Sequence, residues 1–253
     1  MARLDATAMI ALLSDIHGNL ESLQACLKHA ENAGAARYAF LGDFVGYGAD
    51  PAGVVEVIMR YVEQGAVAVR GNHDDAVANA ASYLEDSAKE AIDWARATMS
   101  DEQKEFLAGL PLIVRESQMC FVHASAVDPA RWIYVNNPAS ALECADAAGC
   151  TYTFCGHLHE QRLYFEGREG TMSEFRPVAG SAIPARAHRR WVAVVGSTGQ
   201  PRDRIPAAAY ALFDRPRGEL TFFRVPYDRM AAAGKIRAAG LPASLARRVE
   251  LGI

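Results

Sequence analysis

Short apolar runs punctuated by glycine recur along this chain and set its frame. Met9-Ile10-Ala11-Leu12-Leu13 has no polar position, the pattern of a central strand covered on both faces. Over residues 20–33 the period changes. Leu20, Leu23, Leu27 and Ala30 fall on one helical stripe, and Gly34 ends it. Residues 37–41 form a second buried strand. Pro51 opens a helix over residues 52–64, Gly65 closes it, and residues 66–70 make a third strand. Strands alternating with helical crossovers predict parallel βαβ returns to one sheet edge.

Residues 75–110 are helical and more polar. Residues 87–99 fit one helix, and Ser100 with Gln103 forms a capping box for the next. We expect a helical insertion packed over the sheet. Strands return after Leu112, with Met119-Cys120-Phe121-Val122, then a helix over 139–149 and a strand over 151–155. The last third is strand-rich, over 162–166, 175–178, 191–195, 209–213 and 219–225. Helical stretches flank Gly240-Leu241-Pro242. No repeat or linker divides the chain, so a single domain over residues 1–253 is expected.

The polar residues at the strand ends change the picture. The first strand runs into Ser14-Asp15-Ile16-His17-Gly18-Asn19, the second into Gly42-Asp43 and the third into Gly71-Asn72-His73-Asp74. Two later strands end in His123-Ala124-Ser125 and Gly156-His157-Leu158-His159. In extended chain, Asp15 and His17, or His157 and His159, share a face within reach of one ion. Asp15, His17, Asp43, Asn72, His123, His157 and His159 are too many ligands for one ion and suit two that share Asp43. Five of the chain's seven histidines lie in these motifs, and only His29 and His188 fall outside. Mixed imidazole and carboxylate ligands favour Mn, Fe or Zn over Mg or Ca. No thiolate stands at a ligand position, which argues against a structural zinc site. Paired divalent transition-metal ions are a device for hydrolysing phosphate esters through a bridging water. His73, facing away from Asn72 on an extended strand end, is free to donate a proton. Trp132 and Tyr134 lie in the loop over 128–138, where they either pack or stack on a nucleobase.

Composition bounds the partners. Of 253 residues, 51% are hydrophobic and 22% charged, ample for one large core. The net charge of -4, without a basic run, argues against a nucleic-acid binder that grips phosphate backbones. An odd five cysteines with no Cys-x-x-Cys argue against a disulfide framework and fit a reducing compartment. The apolar residues 7–13 are short and lead into a polar motif, so they read as a strand and not a signal peptide. Nothing has the length of a membrane span. A cytoplasmic protein with no membrane partner is expected.

Asp15-x-His17, Gly42-Asp43, Gly71-Asn72-His73-Asp74, His123 and Gly156-His157-x-His159 resemble, in order, the motifs of the calcineurin-like metallophosphoesterases. The Gly42 to Gly48 loop and Gly199-Gln200-Pro201-Arg202-Asp203 resemble a bacterial subgroup of stand-alone cytoplasmic phosphoesterases. The resemblance implies an α/β (α+β) fold of two mixed β-sheets packed face to face as a sandwich flanked by helices. It implies one ion held by Asp15, His17, His159 and a bridging Asp43, and another held by Asp43, Asn72, His123 and His157. His73 would contact the phosphoryl group and act as general acid. The chain departs from the family's protein Ser/Thr phosphatases, which carry Gly-Asp-x-x-Asp-Arg-Gly. Here Gly46 replaces the second Asp and no Arg follows. Asp74 is therefore the candidate to orient His73, and Arg186, Arg189 and Arg202 are candidate phosphate contacts. Val194-Val195-Gly196-Ser197 stands where the subgroup often has Asn-Pro-Gly-Ser. The expected substrate is small and phosphorylated: a phosphomonoester, a phosphodiester or a dinucleoside polyphosphate. A reading of another class is a metal-binding interaction scaffold without turnover; all seven ligands and His73 favour the enzyme.

Overall fold

The structure, a computed structural model, describes residues 9–79 and 86–253. Residues 80–85 of the expected helical insertion lie outside the described residues. In chain order the elements are β1 (Met9–Leu13), α1 (Leu20–Asn32), β2 (Arg37–Phe40), α2 (Pro51–Glu63), β3 (Val67–Ala68) and α3 (Asn72–Ala78). Then follow α4 (Asp86–Thr98), α5 (Asp101–Gly109), β4 (Ile113–Glu116), β5 (Met119–Val122), α6 (Pro138–Ala148), β6 (Tyr152–Cys155), β7 (Gln161–Glu166) and β8 (Met172–Phe175). The chain ends with β9 (Ala182–Pro184), β10 (Trp191–Val195), β11 (Ala208–Asp214), β12 (Glu219–Val225), α7 (Arg229–Ala238) and α8 (Ala243–Leu251).

Two six-stranded mixed sheets pack face to face. Their orders are β3-β2-β1-β11-β12-β9 and β4-β5-β6-β10-β7-β8. The unbroken apolar run of β1 has the cause its pattern implied. Ile10 and Leu12 point between the sheets, against Phe121, Phe154 and Phe213. Ala11 and Leu13 point the other way, into the layer of α1 and α2. Alpha helix α6 covers the outer face of the second sheet through Ala141, Cys144 and Ala145, against Val122, Val192 and Val194. Among the described residues, no helix is long and apolar enough to cross a membrane.

Register positions the site. β1 and β2 are parallel, with Leu13 opposite Phe40, and β2 is parallel to β3. In the second sheet β5, β6 and β10 are parallel, with Val194 opposite Cys155. Every ligand-bearing loop therefore leaves the same edge of the sandwich.

Three elements differ from their sequence pattern. β3 is only two residues long. Val69 still donates to the Phe40 carbonyl, but Arg70 donates to that of Pro111, so the chain leaves the sheet early. β8 lies three residues before the strand expected over 175–178 and pairs with β7. β9 is an unpredicted edge strand of three residues, where only Ile183, opposite Leu220 on β12, is partly buried. The capping box before α5 is present. The Ser100 hydroxyl accepts from the Gln103 amide at 3.2 Å, and the Gln103 side chain accepts from the Ser100 amide at 3.1 Å.

Candidate metal centre

The loops at the shared edge are knitted together by their own backbone. Asp15 N–H donates to Gly42 O at 3.0 Å, His17 N–H to Asp43 O at 2.9 Å, Gly156 N–H to His123 O at 2.8 Å and Gly199 N–H to Asp15 O at 2.9 Å. Asp15, His17, Asp43, His157 and His159 all have φ between 50° and 65°. This left-handed region costs a non-glycine residue of order 1–3 kcal/mol. The paired ligands therefore converge through left-handed turns and not, as their i, i+2 spacing suggested, along extended chain. At Gly156 no side chain fits, because a Cβ there would collide with Ser14 Oγ and the Asp15 carboxylate.

The turns bring all seven expected ligands together, in two clusters linked by a third group of His17, Asp43 and His73. The ligand atoms of Asp15, His17 and His159 lie within 4.8 Å of one another, and so do those of Asp43, His123 and His157. His17 Nε2 is 3.7 Å and His123 Nε2 3.4 Å from the same Asp43 oxygen. Asn72 Oδ1 lies 3.1 Å from His123 Nε2, which joins it to the second cluster.

Hydrogen bonds to carbonyls fix the tautomers. His17 Nδ1 donates to Val45 O at 3.1 Å, His159 Nδ1 to Gln200 O at 2.6 Å and His123 Nδ1 to Leu41 O at 2.7 Å. Each neutral ring then has only a lone pair on Nε2. Yet His17 Nε2 and His159 Nε2 are 3.2 Å apart, and His123 Nε2 is 3.1 Å from His157 Nδ1. At the first pair two Nε2 lone pairs face each other in a buried site, an arrangement that a cation relieves; at the second, no carbonyl fixes the His157 tautomer, and its Nδ1 donates or accepts accordingly. With metal–ligand bonds of about 2.1 Å, neighbouring ligand atoms lie roughly 3.0–3.4 Å apart in a tetrahedral or octahedral shell. The donor set and its spacing fit transition-metal ions, and the carbonyl partners are the outer groups that orient such ligands.

The electrostatics agree. Burial alone would raise Asp15 and Asp43, but His159 beside the first and His123 beside the second hold both carboxyls well below the usual range. Burial and His123 push His157 down to about 3, and burial with His73 keeps His17 well below its ordinary value. Burial pulls His123 down as well, yet Asp43 and Asp15 outweigh it and raise the imidazole to about 9. Without a metal, a proton takes the cation's place at His123.

The remaining candidates separate. Asn72 and His73 are not on an extended strand end but open α3, where Gly71 is the cap. Their side chains still diverge. His73 Nε2 is 3.9 Å from Asp43, and its Nδ1 is buried without a hydrogen-bond partner. Asp74 does not orient His73. Its carboxylate accepts from the backbone N–H groups of Asp43 at 2.8 Å, Phe44 at 2.9 Å and Gly71 at 2.9 Å, and so holds the Asp43 loop. Arg202 reaches the site. Its N–H donates to His159 O at 3.4 Å, and its guanidinium donates to the Tyr47 hydroxyl at 3.4 Å. Arg186 and Arg189 do not reach it. They precede Trp191, where β10 begins, whereas the site lies beyond Val195, where β10 ends. Arg186 instead bonds the Arg217 carbonyl, and Arg189 lies over Phe165 at 5.5 Å.

Sequence reasoning missed Tyr47, whose ring stands 4.6 Å from the rings of both His17 and His73. Its place between two glycines, in the loop that also carries Asp43, was the available signal. Tyr134 packs as well as being open. Its ring stacks on His157 at 4.1 Å and is 45% exposed, while Trp132 stands edge-on to His123 at 6.0 Å.

Two mixed sheets face to face, with Asp and His clusters at the ends of their parallel strands, define a metallophosphoesterase. Residues 9–217 match the calcineurin-like phosphoesterase superfamily domain, and the chain belongs to that superfamily of metal-dependent phosphoesterases. It is 34% identical to an uncharacterized protein of Methanocaldococcus jannaschii, over 97% of this chain and 98% of that one. The crystal structure of a metallophosphoesterase from Sphaerobacter thermophilus is similar with a TM-score of 0.86 and 31% identity, covering 97% of this chain and 99% of that one. A hypothetical protein from Pyrococcus horikoshii shares the fold, with a TM-score of 0.76 and 20% identity over 97% of this chain and 98% of that one.

Proposed function

We propose that the chain hydrolyses a small phosphate ester with two divalent transition-metal ions. The observation that supports this is the pair of buried clusters, each with its ligand atoms within 4.8 Å of one another, that meet at Asp43, with the Nε2 lone pairs of His17 and His159 facing at 3.2 Å. Asp15, His17 and His159 would hold one ion, and Asn72, His123 and His157 the other, with Asp43 between them. Mn, Fe and Zn suit this donor set. When bound, such a pair supplies an activated water nucleophile and positive charge at the phosphoryl oxygens.

The chain's own residues do the rest. Asp74 fixes the loop that carries Asp43 and so acts as a positioning residue. Arg202 binds the anionic substrate. Burial keeps the His73 imidazole below its ordinary value, despite Asp43 beside it. An arriving phosphoryl dianion acts in the opposite direction. His73 therefore gains a proton as substrate binds and gives it to the leaving oxygen. Five free, buried cysteines support a reducing, cytoplasmic setting.

Metal-loaded protein assayed on monoesters, diesters and dinucleoside polyphosphates should turn over at least one class. Full metal occupancy without turnover on any of them would leave the interaction-scaffold reading. Elemental analysis should find about two ions per chain. Asp43→Asn should weaken both sites and His123→Ala mainly one; saturation of wild-type protein at one ion would rule out the shared pair.

A further inference from the structure

The family match ends at residue 217, and α7 and α8 lie beyond it. The two helices fold back on the edge that carries the ligands. Ile236, Leu245, Ala246 and Val249 share an apolar cluster with Tyr47. Lys235 ties α7 to Glu21 at 2.6 Å and also pairs with Asp50. His17, Tyr47, Gln200, Lys235 and Val249 line one small cleft between the helix pair and the site.

This packing places Arg248 of α8 over Tyr47. Its guanidinium carbon is 5.9 Å from the ring centroid, and that of Arg202 is 5.7 Å from the same centroid. Both arginines are half-buried. Neither has a carboxylate partner among the described residues, whereas Arg37, Arg162, Arg190 and Arg224 each face one. Two like charges around one ring repel. A cation–π contact offsets only about 0.5–1 kcal/mol at such a site. An anion that both guanidiniums reach would offset the rest, and guanidinium geometry matches phosphate. Arg202 is tied to the metal centre by its backbone N–H, which donates to the His159 carbonyl at 3.4 Å. Arg248 meets the Tyr47 ring, which in turn stands 4.6 Å from the rings of His17 and His73.

We propose that Arg202 and Arg248 form an anion subsite beside the metal centre, which binds a second phosphoryl group joined to the one being cleaved. The preferred substrates are then esters that carry a phosphoanhydride, such as nucleoside di- or polyphosphates, and not simple monoesters. The subsite rests on the phosphoesterase reading for its role in turnover, but its anion binding is measurable without turnover.

The probes are methylenediphosphonate, which is not hydrolysed, and inorganic phosphate, each titrated into metal-loaded protein by calorimetry. Wild-type protein should bind the diphosphonate at least tenfold more tightly than phosphate. Arg248→Gln should remove most of that ratio, and Arg248→Lys, which keeps the charge and loses the fork, should restore part of it. In turnover, Arg248→Gln should raise KM for a nucleoside polyphosphate several-fold more than KM for 4-nitrophenyl phosphate, with kcat on the former little changed. Equal wild-type affinity for the two anions overturns the subsite even if the enzyme is active and even if the variants fold poorly. A wild-type diphosphonate preference that Arg248→Gln, with an unchanged melting temperature, leaves intact overturns the role of Arg248. An inactive protein that still shows the preference keeps the subsite and removes the hydrolase reading.

Discussion

Asn72 and His73 are neighbours with different work, and the first turn of a helix separates them by about 100° of rotation. One faces His123 and the other faces Tyr47 and His17. General-acid help typically contributes ~10²–10⁴-fold and is needed most by a poor leaving group. His73→Ala should keep both metals, lose much of its rate on alkyl phosphate esters and lose clearly less on nitrophenyl esters. Steady-state rates on the two substrates, with metal content measured in parallel, decide this. Equal losses would reduce His73 to a phosphate contact. Asn72→Ala should instead lower metal occupancy and slow both substrates alike. A second residue-scale expectation concerns His123, raised to about 9 against an ordinary 6.5. Below its raised pKa a proton occupies the ligand nitrogen, so metal must displace it. Apparent affinity at the Asn72, His123 and His157 cluster should fall about tenfold per pH unit below 9. His17, whose pKa is lowered, imposes no such competition near neutrality. Dialysis against a metal buffer at pH 8, 7 and 6 should therefore empty the His123 cluster first. Simultaneous loss of both ions near pH 6.5 would contradict the sign of the His123 shift.

At the scale of elements, the strand-to-loop junctions are where the chain is least tolerant. A methyl group at Gly156 would occupy space held by Ser14 and Asp15. Forcing it in costs about 1–3 kcal/mol, the usual range for overpacking. Gly156→Ala should lower the denaturant midpoint and also weaken metal binding at Asp15. A stability loss with unchanged metal content would mean that the loop relaxes without moving its carboxylate. These junctions also mark the limit of what the sequence shows. Apolar period located β1, β10 and β12 residue for residue, because their neighbours bury both faces or alternate cleanly. Residue type and recurrence picked out the seven candidate ligands that the structure brings together. The left-handed turns that aim them were not legible, because φ at Asp15 or His159 is imposed by hydrogen bonds to loops more than twenty residues away. Arg186 and Arg189 were misplaced for a related reason. They lie close in sequence to β10 but at its starting end, and strand direction within the sheet is a tertiary fact. Arg248 carried no local signal at all, since only the docking of α8 brings it to Tyr47.

For the molecule as a whole, the ligands divide by sheet. Asp15, His17, Asp43 and Asn72 follow β1, β2 and β3, whereas His123, His157 and His159 follow β5 and β6. A bound ion pair is thus a rivet through one end of the sandwich, fastening two layers that elsewhere meet only through side-chain packing and a few loop bonds. An ion held at 100 times its Kd adds about 2.7 kcal/mol to stability. For a chain of this size, removing two ions should lower the melting temperature on the order of 10 °C. The loss should be uneven. With a chelator present, amide hydrogen exchange should quicken first in the loops of residues 156–159 and 197–200 at the riveted end, while the central amides of β11 and β12 stay protected, so the sandwich opens there as a hinged book opens away from its spine.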